Sequence, residues 1–204
     1  MNNGDAIAGD LARIIQPGPD KLAELNDRLA AAAQRDGLLD IAYRTVDSPV
    51  GPLLLAATEQ GLVRVAYARE NHDTVLQQLA DQVSPRILRA PARLDAAARE
   101  LDEYFTQARR TFDLPLDWRL AAGFRAAVLH HLPEIGYGQT ASYAAVAALA
   151  GSPKAVRAVG TACAKNPLPV VVPCHRVVRS DGAMGGYLGG PEAKRLLLDM
   201  EAAA

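Results

Sequence analysis

Cysteine, histidine and aromatic residues are scarce in this chain, and each shortage removes a class of protein. Two cysteines, Cys163 and Cys174, and four histidines occur in 204 residues. Two cysteines cannot build a disulfide framework, and both are expected as free thiols in a reducing compartment. No CxxC or HxxxH spacing is present and His130 and His131 are adjacent, so no metal site is predicted. Long apolar runs are missing too: none approaches the roughly 20 residues that cross a bilayer. The start, MNNGDAIAGDLARIIQPGPDK, has no basic front and no uninterrupted apolar stretch, and reads as neither signal peptide nor anchor. Together these absences predict a cytoplasmic protein with no membrane partner. Aromatics are only 5% of the chain while alanine is abundant, which favours tightly packed helices.

Half of the residues are apolar, enough for a real core. The net charge of −1 hides an asymmetry. Residues 1–117 hold 13 Lys/Arg against 18 Asp/Glu, a net of −5, and residues 118–204 hold 9 against 5, a net of +4. The second half is therefore the candidate for a polyanionic partner.

Along the chain, residues 1–19 form a flexible leader. Residues 20–36 form a helix with Leu22, Leu25 and Leu29 at helical spacing, Asp20 as N-cap and Gly37 as terminator. Strands are predicted at 39–46, 51–57 and 62–68, the last two flanking a hairpin turn at Thr58–Gly61. Helices are predicted at 73–83 (Val75, Leu76, Leu79) and 94–107 (Leu94, Ala98, Leu101, Phe105). This is an α+β pattern with a small, largely antiparallel sheet. The division expected is an extension at 1–38, a scaffold domain at 39–115 with Pro115–Trp118 as linker, and a helical domain at 119–204.

In the second half, residues 121–132 form a helix. Ser142 caps a further helix from Tyr143 to Ala150, Gly151 breaks it, and Ser152-Pro153 opens another that runs to about Lys165. Two short helices around a glycine have the form of a helix-turn-helix. In the second of them Val156, Val159 and Cys163 are expected to face the core. Ala155, Ala158 and Ala162 make a stripe of small residues, and Lys154, Arg157, Thr161 and Lys165 a basic line beside it. Such a helix can approach a nucleic-acid groove closely. An ordinary amphipathic helix reads the same way.

The sharpest signal lies directly after this helix: Asn166-Pro-Leu-Pro-Val-Val-Val-Pro-Cys-His-Arg-Val-Val178. Val170–Val172 reads as a short buried strand, and Pro167, Pro169 and Pro173 stiffen the backbone around it. Asn166 ends the helix and can bond free backbone groups. Cys174 emerges from this strand with His175 beside it. A thiolate is the nucleophile, His175 can take the thiol proton, and a carboxylate can orient the imidazole. Among the downstream carboxylates, Glu201 on the polar side of a final helix (191–203) can reach back.

PCHRV at 173–177, with GQTASYAAVA, GSPKAVRAVG, GGYLGG and KRLLLDME in the same order, resembles the O6-alkylguanine-DNA alkyltransferases over roughly residues 39–204. The resemblance implies a ribonuclease-H-like scaffold followed by a DNA-binding and alkyl-acceptor domain. It implies that Cys174 accepts the alkyl group, His175 acts as base through a water, and Glu201 orients it. Tyr143 would press on the target phosphate and protonate the leaving base. Asn166 would be a hinge. Arg157 would fill the gap left by a flipped nucleotide, with Ser142, Lys154, Ala155, Ala158 and Thr161 along the DNA face. Pro169, Val177, Tyr187, Leu188 and Gly189 would wall the base pocket. The partner implied is duplex DNA with alkylated guanine, and by extension alkylated thymine, entered from the minor groove by a monomer. No cofactor is implied, because direct displacement needs none. Two departures stand out. Residues 1–38 have no counterpart in the family pattern, and Leu188 stands where a smaller or more polar residue is common, which bears on the bulk of alkyl group accepted. Three other readings remain open on the residues alone: a lesion-binding module without transfer, a transcriptional regulator, and a cysteine hydrolase.

Overall fold

The computed structural model describes residues 18–203. The leader expected at the start therefore lies almost wholly outside the described residues. Helix α1 (Pro19–Arg35) begins with Pro at its first turn, where a missing N–H costs nothing, so Asp20 falls inside the helix rather than at its cap. Just past the Asp36 C-cap, Gly37 takes the left-handed conformation (φ 66°), the helix terminator expected. The leucines of α1 do not face the core. Leu22, Leu25 and Leu29 are 59%, 41% and 55% exposed, and Ala30 and Ala33 are the buried residues. The asparagine on this inner side, Asn26, donates to the Arg89 carbonyl (2.8 Å).

Strands β1 (Ile41–Val46), β2 (Leu53–Thr58), β3 (Gly61–Tyr67) and β4 (Ile87–Arg89) form a four-stranded sheet in the order β3-β2-β1-β4. The first three are antiparallel neighbours, and β4 joins β1 in parallel. Thr58 pairs with Gly61, so the hairpin turn is the one read from the sequence. The parallel edge strand β4 was not legible: three residues, flanked by prolines, carry no alternation. The pleat sends alternate residues to two cores. Ile41, Leu54, Ala56, Val63 and Ala66 meet Val75 and Leu79 of α2 (His72–Gln82) on one face. Ala42, Leu53, Leu55, Val65 and Tyr67 join a second core on the other, with α3 (Asp95–Phe105). Of the expected stripe, Leu94 and Leu101 are buried and Ala98 and Phe105 are partly buried against the same core, while Ala97, Glu100 and Tyr104 of α3 are buried as well.

The stretch read as a linker is stitched to the sheet. Leu62 N–H donates to the Pro115 carbonyl (2.8 Å) and Asp117 N–H to that of Leu62 (2.9 Å). Asp117 is 2% exposed and accepts from the Thr58 hydroxyl. Pro115 sits so close to Gly61 (φ 136°) that a Cβ there would lie 2.1 Å from its carbonyl oxygen.

The helical half contains α4 (Gly123–His131), α5 (Tyr143–Leu149), α6 (Val156–Ala164) and α7 (Pro191–Ala202), with a two-residue parallel ladder of β5 (Ala141–Ser142) and β6 (Val177–Val178). Ser142 caps α5 as expected, accepting from Ala145 N–H (3.1 Å). Ser152 does not cap α6. Residues 152–155 form a turn, and the helix starts at Val156 after Ala155. Val159 and Cys163 are buried as expected, but Val156, now the first residue of the helix, is exposed, and Ala162 is buried rather than part of an open small-residue stripe. Among the described residues, no helix is long and apolar enough to cross a membrane.

Candidate active site

Helix α6 stops at Lys165, and Asn166 (1% exposed) organises the turn beyond it. Its Nδ2 donates to the Val172 carbonyl (2.8 Å) and to Cys174 Sγ (3.1 Å), while its Oδ1 accepts from Leu168 N–H (3.0 Å). The expected strand at Val170–Val172 is absent. Those residues form a tight turn closed by Val172 N–H to the Leu168 carbonyl (2.8 Å), and Val170 sits at φ 73°. Apolar composition alone cannot tell a buried strand from a buried turn, and the prolines at 167, 169 and 173 favour the turn. A β-branched residue in the left-handed region is strained, and such strain collects at functional sites. The turn is held against the sheet by Val65 N–H, which donates to the Pro167 carbonyl (2.8 Å).

Cys174–Arg176 then form one tight helical turn. Cys174 is 2% exposed and His175 fully buried. Burial pushes the Cys174 thiol up to about 11, with Asn166 and the Lys194 ammonium opposing that rise. The resting sulfur is a neutral thiol, not the ready thiolate. Burial holds the His175 imidazole below its ordinary value against the pull of Glu201, so it too is neutral at pH 7. His175 Nε2 lies 2.9 Å from Glu201 Oε1. Its Nδ1 is buried with no hydrogen-bond partner among the described residues. With Nε2–H donating to the carboxylate, Nδ1 is left as a proton acceptor.

Glu201 is the anchor of this set, and it lies on the buried face of α7 with Lys194 and Leu197, not on the polar face. Its oxygens accept from Tyr104 Oη (2.6 Å), from Arg176 Nε and Nη2 (2.9 Å each) and from Gly138 N–H (3.2 Å). Burial alone would raise its pKa. The hydrogen bonds from His175, Arg176 and Tyr104 outweigh it and bring the carboxyl down to about 2.

A cleft of about 560 Å³ opens between α6 and the loop after β6; Cys174, Asn166, His175 and Glu201 do not line it, and Tyr187, whose ring meets that of His175 edge to face at 6.2 Å, connects it to the relay. Tyr143, Gly160, Ala164, Tyr187 and Leu188 line it, with Arg69 and Glu70 from the sheet half. A larger groove, about 630 Å³, runs along the outer side of α7 at Pro191, Arg195 and Met200 and carries none of the relay residues. Of the expected pocket residues, Tyr187 and Leu188 line the cleft. Gly189 packs on Tyr67 at its edge. Pro169 and Val177 are buried and are not among the lining residues. The expected DNA-face residues Lys154, Arg157, Ala158 and Thr161 are exposed on or just before α6, Ala155 is half-buried, and Ser142 is occupied as the α5 cap.

Residues 41–118 match the family described as 6-O-methylguanine DNA methyltransferase, ribonuclease-like domain, and residues 123–203 match its DNA binding domain. The chain belongs to the 6-O-methylguanine DNA methyltransferase family. It is 40% identical over 164 residues to the constitutive methylated-DNA–protein-cysteine methyltransferase of Bacillus subtilis, covering 78% of this chain and 94% of that protein. It is 38% identical over 161 residues to the Mycobacterium tuberculosis methylated-DNA–protein-cysteine methyltransferase, covering 79% and 92%. A crystal structure of the M. tuberculosis protein in complex with DNA matches with TM-score 0.69 at 35% identity, covering 79% of this chain and 93% of that one.

Four residues around this candidate site escaped the sequence reading. Arg176 carried a signal, a charge inside the apolar VPCHRVV run, whose burial requires a partner. Lys194 also carried one: it stands seven residues before Glu201, on the same helix face. It is fully buried, and its Nζ donates to the carbonyls of Val177 (2.6 Å) and Met184. Tyr104 and Tyr67 carried none. Both come from the sheet half, and only the tertiary fold brings them to the site.

Proposed function

We propose that this protein repairs DNA by moving an alkyl group from O6 of guanine onto Cys174, once per molecule. One observation carries the reading: a buried thiol bonded to Asn166 is followed in the chain by a neutral imidazole with a free acceptor nitrogen and an ionised carboxylate partner, one ring contact away from a cleft. Membership of the methyltransferase family supports it. Relatives carry the name methylated-DNA–protein-cysteine methyltransferase.

The thiol proton passes to His175 Nδ1, through a bridging water in this reading. Glu201 holds the opposite nitrogen and stabilises the imidazolium that forms. The sulfur pair then attacks the saturated alkyl carbon. The C–O bond breaks, its electrons go to O6, and the Tyr143 hydroxyl supplies a proton to the leaving base. Asn166 stabilises the developing thiolate through its bond to Sγ. The product is a thioether, which no neighbouring group can hydrolyse, so the protein is consumed. The reacting carbon is hidden in duplex DNA, so the nucleotide must be flipped out at a cost of a few kcal/mol. Arg157, exposed on α6, would fill the gap from the minor groove and offset part of that cost. O4-alkylthymine presents a similar carbon and belongs to the same substrate class. On this reading residues 39–115 are scaffold and 119–204 bind DNA and accept the alkyl group. The protein works as a monomer in the cytoplasm, where thiols stay reduced.

Incubation with duplex DNA carrying O6-methylguanine should add about one methyl mass to the Cys174 peptide, with Cys174→Ala as control. An unmodified Cys174 beside intact lesion would overturn the reading.

A further inference from the structure

The wall of the cleft that carries Tyr187 and Leu188 is poor in structure of its own. Residues 182–190 include Gly182, Gly185, Gly186, Gly189 and Gly190, and a turn bond from Gly190 N–H to the Tyr187 carbonyl (3.1 Å) closes its end. A segment so short of internal bonds takes its position from what it rests on. Lys194 holds its first half through the Met184 carbonyl, and the half that carries Tyr187 and Leu188 rests on Tyr67, the last residue of β3. The hydroxyls of Tyr67 and Tyr187 are 2.7 Å apart, and the two rings meet edge to face at 5.8 Å. Gly189 lies directly over the Tyr67 ring, where a Cβ would come within 2.6 Å of Cζ. The anchor itself is fixed: Tyr67 is 2% exposed, its N–H donates to Glu70 (2.8 Å), and Glu70 pairs with Arg64. Burial raises both phenols far enough that both hydroxyls keep their protons, so the bond is a neutral one at any ordinary pH.

We infer that Tyr67 is a specificity-determining residue of this site: its hydroxyl sets how far Tyr187 and Leu188 stand into the cleft, and so how bulky an alkyl group reaches Cys174. The inference rests on the alkyl-transfer reading above. Tyr187 also meets the His175 ring edge to face at 6.2 Å. A displaced Tyr187 therefore changes the space beside the relay while leaving the bonds among Cys174, Asn166, His175 and Glu201 in place. The Tyr67 hydroxyl bonds to Tyr187 and not to the relay, so it acts through the wall.

The test uses the full-length protein. Tyr67→Phe keeps the ring under Gly189 and removes only the hydroxyl, and Tyr187→Phe removes the same bond from the other side. Rates are measured for a small lesion, O6-methylguanine in duplex DNA, and for a bulky one, O6-benzylguanine in the same duplex, each normalised to titrated active protein. The ratio of the two rates cancels any loss of folded protein. Each single variant should raise the bulky-to-small ratio about three- to tenfold, and the double variant should go no further, because both remove one shared bond. An unchanged ratio in Tyr67→Phe, or additive effects in the double variant, overturns the inference. Wild-type protein that leaves Cys174 unmodified overturns the functional reading beneath it instead.

Discussion

At the scale of residues, the proposed reaction starts from groups that carry no charge at rest. Cys174 at about 11 is protonated at neutral pH and buried. A small soluble electrophile should therefore find it a poor target. Iodoacetamide at pH 7.5 should label Cys174 at least about tenfold more slowly than a free thiol, with the rate climbing only at strongly alkaline pH, as peptide mass spectrometry would record. Fast labelling at neutral pH would contradict the neutral resting thiol. Glu201 is the opposite case. Its folded pKa of about 2 lies below the ordinary 4.5, so its ionised form stabilises the fold above the ordinary value. That contribution is lost as pH falls from about 4.5 toward about 2. The urea midpoint should decline across this window, and Glu201→Gln should flatten the decline. The same variant leaves the Arg176 guanidinium without its ionic partner. It should cost about 3–5 kcal/mol at neutral pH, the penalty for an orphaned buried charge.

At the scale of elements, each segment holds a different part in place. Helix α6 presents Arg157 to solvent and buries Val159 and Cys163. Arg157→Ala should slow methyl transfer from duplex DNA about tenfold or more while leaving reaction with free O6-benzylguanine unchanged, because only the duplex has a stack to fill. Equal losses on both substrates would remove Arg157 from DNA handling. The β2–β3 hairpin has a different task. Gly61 lets Pro115 close on the sheet, and its φ of 136° suits glycine alone. Gly61→Ala should lower stability by roughly 2–4 kcal/mol in chemical denaturation, since neither the backbone nor the carbonyl can yield cheaply.

At the scale of the whole molecule, the two halves share one core. Leu55, Tyr104, Val128, Leu168 and Cys174 belong to a single buried cluster. Tyr104 of α3 reaches Glu201 of α7 across the join. A shared core predicts one cooperative unfolding transition, traced identically by fluorescence and circular dichroism. Tyr104→Phe should shift that transition by about 1–3 kcal/mol, the usual cost of a lost buried hydrogen bond to a charged group. Two separated transitions in the wild type would show that the halves unfold independently.

The sequence by itself determined the elements with strong local signals. The hairpin at Thr58–Gly61, the Ser142 cap, the terminal helix and the PCHRV run with Asn166 ahead of it were all legible, because turn chemistry, caps and reactive residue types act over a few neighbours. It misled where composition has two solutions. Val170–Val172 is a strained turn rather than a strand, and the leucines of α1 face solvent while its alanines pack. Only the tertiary structure decided the rest. Glu201 faces inward because Arg176, Tyr104 and His175 converge on it. Tyr67 meets Tyr187 from 120 positions away in the chain, and Tyr104 meets His175 from 71. Such contacts have no local signature, because their energy comes from burying polar groups against partners that only the folded chain supplies.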